Sequence, residues 1–146
     1  MISINEINQT DVDLCFELDS NTVSLWSKKQ WESEFKKEGI KVFGISFFKP
    51  VIGICVLHVV GDEAHINYFS VNERFQRKGF GTKLMNHLLK ECEKLKIKKL
   101  LLEVSESNFV AEKFYNHFEF HTVGIRRNYY KDGSNALLKE KKLIKK

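Results

Sequence analysis

Glu103 interrupts Leu100-Leu101-Leu102-Glu103-Val104, a run otherwise built for burial, and so sets a carboxylate at the C-terminal end of a strand. Sites in parallel sheets gather at such ends. A partly desolvated carboxylate there has a raised pKa and becomes a useful base near neutral pH; the same position also suits an exposed strand-end glutamate. On the helix that follows, Asn108, Ala111, Glu112 and Tyr115 fall at i, i+3, i+4 and i+7, so Asn108 and Tyr115 share a face two turns apart and look toward one cleft. Taken singly, Asn108 also reads as a helix N-cap and Tyr115 as a core aromatic whose hydroxyl reaches water.

Upstream, Gln76-Arg77-Lys78-Gly79-Phe80-Gly81-Thr82 joins a β-like run, Ile66 to Val71, to a long amphipathic helix. Helix starts leave backbone N–H groups without partners, and the aligned peptide dipoles place roughly half a positive charge there. Gly79 and Gly81 allow a tight turn and close approach to a pyrophosphate, while Arg77 and Lys78 add mobile positive charge. The segment matches neither the P-loop nor the three-glycine dinucleotide pattern. What it presents is Gln-x-x-Gly-x-Gly, an anion cradle.

The elements that must position these groups are readable from periodicity and breakers. Ile2 to Asn5 alternates as a strand, and Asp11 to Leu18 and Ser27 to Phe35 read as short helices capped at Thr10 and Ser27. Lys41 to Phe48, Val51 to Val60 and Ala64 to Val71 form an antiparallel meander around Lys49-Pro50 and Gly61-Asp62. Phe80, Leu84, Met85, Leu88, Leu89, Cys92 and Leu95 keep one apolar helix face, Lys99 to Val104 is a buried strand, and Asn108 to Asn116 is a further helix. Two last strands, Phe120 to Tyr130 and Asn135 to Leu143, flank Asp132-Gly133. The order β-α-α-β-β-β-α-β-α-β-β predicts an α/β (α+β) fold with a mixed, mostly antiparallel sheet, parallel only around the phosphate-binding crossover.

At 146 residues the chain is expected to be a single domain, residues 1–146, with an ordinary globular hydrophobic content of 42%. Neither a basic, apolar leader nor a run of about 18 apolar residues is present, so a soluble cytoplasmic protein without membrane contact is expected. Cys15, Cys55 and Cys92 lack metal or disulfide spacing and read as buried thiols away from the reacting groups. His117 and His121 are four apart but lack a third ligand, so no metal is expected; His58, His65 and His87 read as structural or surface residues. The net charge of +5 is concentrated in Lys139 to Lys146, whose five lysines and one glutamate make +4 and read as a basic C-terminal tail. With the body near neutral, direct nucleic-acid binding is not the leading expectation.

Gln76-x-x-Gly79-x-Gly81 at a strand-to-helix junction, Glu103 in Leu-Glu-Val-Ser, and Asn108 followed by Tyr115 together resemble the GNAT acyl-CoA N-acyltransferases along nearly the whole chain. More narrowly, Asn108 to Tyr115 and Ile125-Arg126-Arg127-Asn128-Tyr129-Tyr130 resemble the bacterial members that acetylate the N-terminal alanine of a small-subunit ribosomal protein. The resemblance implies about seven strands flanked by about four helices, with a splayed parallel strand pair opening a cleft for acetyl-CoA. It implies that backbone groups of Phe69, Ser70 and Val71 pair with the pantetheine arm, and that Arg77, Lys78, Gly79, Phe80, Gly81 and Thr82 seat the pyrophosphate. Asn108 would hydrogen-bond the cofactor, Glu103 would be the general base and Tyr115 the general acid in direct transfer.

The implied partner is the N-terminal segment of a ribosomal protein. Lysine or small-amine acceptors, and a non-catalytic CoA-binding module, are the rival readings. An α-amine with a pKa of about 7.8 is roughly one seventh neutral at pH 7, against under a thousandth of a lysine at about 10.4, so the α-amine needs the weaker base. Where the family commonly has Leu-Gly-Phe after the tyrosine helix, this chain has Phe118-Glu119-Phe120, which removes the expected left-handed glycine cap.

Overall fold

The β-branched and aromatic runs pair into one seven-stranded sheet whose strands neighbour one another in chain order, except that the seventh lies between the fifth and the sixth. A computed structural model describes residues 1–143. The strands are β1 (Ile2–Ile7), β2 (Ile40–Phe47), β3 (Val51–Val60), β4 (Glu63–Val71), β5 (Lys99–Ser105), β6 (His121–Arg126) and β7 (Ala136–Lys142). The helices are α1 (Val12–Ser20), α2 (Lys28–Phe35), α3 (Phe80–Lys94) and α4 (Phe109–His117). All neighbouring strands are antiparallel except β4 and β5, which α3 connects in parallel. Both the mixed sheet and the position of its parallel pair agree with the sequence reading.

Alternation sorts the core into two layers. On one face Cys55, Leu57, Ala64, Ile66, Leu100, Leu102 and Val104 meet Leu84, Met85, Leu88 and Cys92 of α3 and Tyr115 of α4. On the other, Val42, Ile54, Val56 and Tyr68 meet Cys15 of α1 and Trp31 of α2. Leu84, Met85 and Leu88 are fully buried, each contributing about 1.5–3 kcal/mol by leaving water.

The caps show where local chemistry rules and where it does not. Ser27 and Gln30 form a reciprocal capping box at α2, with Ser27 Oγ accepting from the Gln30 N–H at 3.1 Å and Gln30 Oε1 accepting from the Ser27 N–H at 2.7 Å. The expected cap at Thr10 is corrected: Asn8 caps a 3-10 turn over Gln9–Asp11 that precedes α1, and Thr10 lies inside that turn. The strand expected to run from Phe120 to Tyr130 stops at Arg126, because Asn128 takes a left-handed φ of 52° and its N–H turns to Asn135 Oδ1.

The helix exit expected to lack its left-handed cap keeps it without glycine. Glu119 adopts φ 67°, its N–H donates to the Asn116 carbonyl, and the Phe120 N–H reaches back to the Tyr115 carbonyl at 3.1 Å. These two bonds make a Schellman motif with glutamate in the strained position. Glu119→Gly is therefore expected to stabilise the protein by about 1 kcal/mol, read as a melting temperature higher by about 2–4 °C.

Part of the basic tail read over residues 139–146 falls inside the strand expected from Asn135 to Leu143. Lys139 to Lys142 belong to β7, between β5 and β6. Lys139 is 1% exposed, and its ammonium donates to Asn116 Oδ1 at 2.9 Å and Thr122 Oγ1 at 3.0 Å beside Glu112 at 3.4 Å. Lys141 donates to the Phe118 carbonyl at 2.8 Å. The remaining part of that expectation, residues 144–146, lies outside the described residues.

Candidate active site

The parallel ladder between β4 and β5 covers only Glu63 to Ile66 against Lys99 to Leu102. At the next residue, Asn67, β4 carries a bulge: Tyr68 opposes Val56 and Ile66 opposes Leu57, leaving Asn67 without a partner on β3. A bulge bends its strand and raises the local twist. Beyond it β4 continues beside β3 and β5 beside β7, but the two no longer pair with each other. The edge of β4 from Asn67 to Val71 is thereby open, and Phe69, Ser70 and Val71 lie on it.

The bulge also re-aims side chains. Before it Ala64 and Ile66 enter the α3 and α4 layer; after it Phe69 and Val71 do, while Tyr68 enters the α1 and α2 layer. Phe69 packs against Phe114 at 5.5 Å and Tyr115 at 6.3 Å between ring centroids.

At the upper end of the opening, the chain turns into α3 through Arg77 at φ 62° and Gly79 at φ 87°. Gly79 is the N-cap and supplies no side-chain acceptor, so the first N–H groups of α3 are uncapped. Gln76 Nε2 donates to the Val71 carbonyl at 2.8 Å, fastening this loop to the end of β4. Arg77 and Lys78 are exposed and make no ion pair among the described residues. Gly81 faces Phe114 of α4 at 3.5 Å from its would-be Cβ. An anion fits the uncapped N–H groups and the free cations together.

Tyr115 is 8% exposed. Its hydroxyl makes no hydrogen bond among the described residues, yet none of their wholly buried side-chain oxygens lacks a partner, so the hydroxyl reaches solvent. Burial pushes its pKa well above the ordinary phenol value, with a smaller push from Cys55, so it holds its proton. Cys55 therefore lies nearer to this group than the sequence reading placed any cysteine: it opposes Phe69 in the β3–β4 ladder. It is fully buried, and burial raises its thiol above the usual range, which leaves it unsuited to carry an acyl group.

Asn108 and Tyr115 stand at the start and toward the end of α4 and differ in burial. Asn108 is the N-cap, exposed, with Oδ1 accepting from the Ala111 N–H at 3.2 Å. Its amide N–H groups keep no partner among the described residues.

Glu103 lies on the opposite face of the sheet from Tyr115, since its neighbours Leu102 and Val104 are the buried ones. Of the two readings its position allowed, it is nearer the exposed strand-end glutamate. Its side chain is 31% accessible, and Oε2 pairs with Arg126 Nε at 2.8 Å. The Arg126 guanidinium in turn sits 5.7 Å from the Tyr129 ring centre.

Around Glu103 runs a groove of about 560 Å³. Its walls include Trp26 and Glu34 from the α1–α2 region, Asn67 of the bulge, and Arg126, Tyr129 and Tyr130 after β6. Ile66 and Leu102, the last paired residues of β4 and β5, line it too. The groove thus reaches the split from one face, while Tyr115 and the α3 cradle flank it from the other. His65, read as structural or surface, belongs to this lining, and Glu34 accepts from Asn67 Nδ2 at 2.6 Å.

Trp26, Glu34 and Asn67 carried no weight in the sequence reading. One signal was present: the alternation Ala64-His65-Ile66-Asn67 is followed by two successive aromatics, Tyr68-Phe69, as a one-residue slip requires. Among the described residues no group of three or more His, Cys, Asp or Glu side chains is placed to share a metal ion.

The sequence profile of the Acetyltransferase (GNAT) family matches residues 9–120. The chain belongs to the GNAT family of acetyltransferases. It is 31% identical over 131 residues to the [ribosomal protein bS18]-alanine N-acetyltransferase of Escherichia coli K12, covering 89% of this chain and 88% of that one. The crystal structure of the E. coli ribosomal-protein-S18-alanine N-acetyltransferase superposes with a TM-score of 0.93 at 29% identity, over 100% of this chain and 96% of that one. Ard1 from Thermoplasma volcanium superposes with a TM-score of 0.87 at 26% identity, over 99% of both chains. As a GNAT protein the chain is an N-acetyltransferase, and members of the family generally use acetyl-CoA.

Proposed function

We propose that this protein transfers the acetyl group of acetyl-CoA directly to a protein α-amine, the N-terminal alanine of a small-subunit ribosomal protein, acting as a single cytoplasmic GNAT domain. The observation that carries the reading is the split between β4 and β5, which has an anion cradle and a protonated tyrosine on one side and a carboxylate-bearing groove on the other. Two substrates can meet there from opposite faces, as a ternary complex requires.

In this reading the open edge at Phe69, Ser70 and Val71 pairs with the pantetheine arm, Asn108 donates its free amide N–H to it, and the segment Arg77 to Thr82 holds the pyrophosphate. The α-amine enters along the groove. Glu103 takes its proton, directly or through water, as nitrogen attacks the thioester carbonyl. A backbone N–H near Val71 stabilises the developing oxyanion, a contribution of a few kcal/mol. Tyr115 then gives its proton to the departing thiolate. Arg126 gives up Glu103 as the amine arrives, exchanging one cation for another.

The 31% identity to an enzyme named for the bS18 alanine supports the acceptor. Mass spectrometry of peptides with free and blocked N-termini, incubated with acetyl-CoA, tests it. Modification confined to the free α-amine of Ala-first peptides is expected; acetylation of lysine side chains in blocked peptides would replace the acceptor assignment.

Because part of the α-amine is already neutral at pH 7, Glu103→Gln is expected to lower kcat/KM only about tenfold there. The deficit should shrink toward pH 9, where most amine of pKa about 7.8 has lost its proton without help. A deficit that stayed constant with pH in kcat/KM profiles would remove Glu103 from the base role.

A further inference from the structure

Asp19 is fully buried at the end of α1, and its carboxylate accepts four hydrogen bonds. Oδ1 accepts from the Leu25 N–H and the Tyr68 hydroxyl, both at 2.9 Å. Oδ2 accepts from the Trp26 N–H at 2.9 Å and from Trp31 Nε1 at 3.0 Å. A buried charge is costly unless such donors surround it.

The four donors come from three parts of the molecule. Leu25 and Trp26 are wall residues of the groove, in the irregular segment between α1 and α2. Trp31 anchors α2 in the core. Tyr68 follows the bulge on β4, and its hydroxyl also accepts from Ser70 Oγ at 2.9 Å. The carboxylate therefore joins the loop that walls the groove to the strand whose free edge opens the cleft. The loop is otherwise held by the Thr22 and Ser24 N–H groups, which donate to the Asp19 carbonyl, and by the Trp26 ring packed on Trp31 and Tyr68, while Leu25 is 55% and Val23 56% exposed. Asp19 is too deep to touch either substrate.

We infer that Asp19 is a positioning residue for the acceptor: it fixes the Leu25-Trp26 wall to Tyr68 of the donor strand and so sets how tightly an incoming amine-bearing segment is held. The inference rests on the proposed use of the groove as the acceptor site. A carboxylate is required because both oxygens accept twice; an amide has one oxygen, and its NH2 would face two donors.

Steady-state kinetics with an Ala-first peptide and acetyl-CoA, each varied in turn, test this. Asp19→Asn is expected to raise the peptide KM about tenfold and to leave the acetyl-CoA KM within about twofold. Tyr68→Phe removes one of the four bonds while keeping the ring contacts with Trp26 and Trp31, and should raise the peptide KM about threefold. An unchanged peptide KM in folded Asp19→Asn, or an equal rise in both KM values, overturns the inference. If Asp19→Asn does not fold, an unchanged peptide KM in Tyr68→Phe overturns it. A wild-type enzyme that acetylates no free α-amine refutes the proposed function instead, whatever the variants do.

Discussion

Tyr115→Phe is expected to lower kcat about a hundredfold, the lower range for losing a general acid, while leaving the acetyl-CoA KM and the melting temperature nearly unchanged. The substitution is unusually clean. The hydroxyl makes no hydrogen bond among the described residues, so its removal orphans no partner, and the ring keeps its edge contacts with Phe69, Phe114 and Phe120. Only the proton at the mouth of the split is lost.

The pH profile supplies an independent check. Burial raises the Tyr115 pKa above the ordinary phenol value. A raised pKa means that the protonated acid persists as pH rises, so Tyr115 should cause no alkaline fall in kcat below about pH 10. An alkaline limb near pH 8 to 9 that vanished in Tyr115→Phe, or wild-type kcat in the variant, would end the assignment.

Lys139→Ala should destabilise the protein by about 3 kcal/mol, the lower end for breaking a buried ion pair, and lower the melting temperature by about 6–12 °C. The ammonium is surrounded by Glu112, Asn116 and Thr122, and deleting it leaves all three without their shared donor. Glu112 keeps 28% of its side chain accessible and recovers some solvation, which sets the lower end. Lys139→Met keeps most of the buried stem and should cost roughly half as much. Thermal and urea unfolding of both variants would measure the split between stem and charge. A loss of under 2 °C in Lys139→Ala would show that the network contributes nothing.

These two cases mark what the chain discloses before folding. The meander, the amphipathic α3 and the Gln-x-x-Gly-x-Gly turn are local patterns, and their elements appear within a few residues of the positions read from periodicity. Glu103, Asn108 and Tyr115 could be singled out because their spacing is short. Their surroundings could not, since those come from distant parts of the chain: Arg126 reaches Glu103 from beyond β6, and the acceptors for Lys139 come from α4 and β6.

The burial of Lys139 within its strand has the same origin. Lysine density resembles a solvated end until the sheet inserts β7 between β5 and β6, a placement that no local rule specifies. Glu119 shows the opposite limit. A left-handed cap was read from the presence of glycine alone, whereas the hydrogen bonds closing α4 hold a glutamate in that conformation.

The bulge at Asn67 gives the fold a single point of failure unrelated to any reactive group. Delete that one residue and β4 regains unbroken alternation: Tyr68 and Phe69 keep their layers, and the ladder with β5 has no reason to stop at Ile66 and Leu102. Such a protein would keep its helices and its sheet and lose the slot between two strands. In an alignment it would look like a nearly intact acetyltransferase with a one-letter gap, which makes the length of β4 a sharper criterion for activity than the presence of Glu103 or Tyr115.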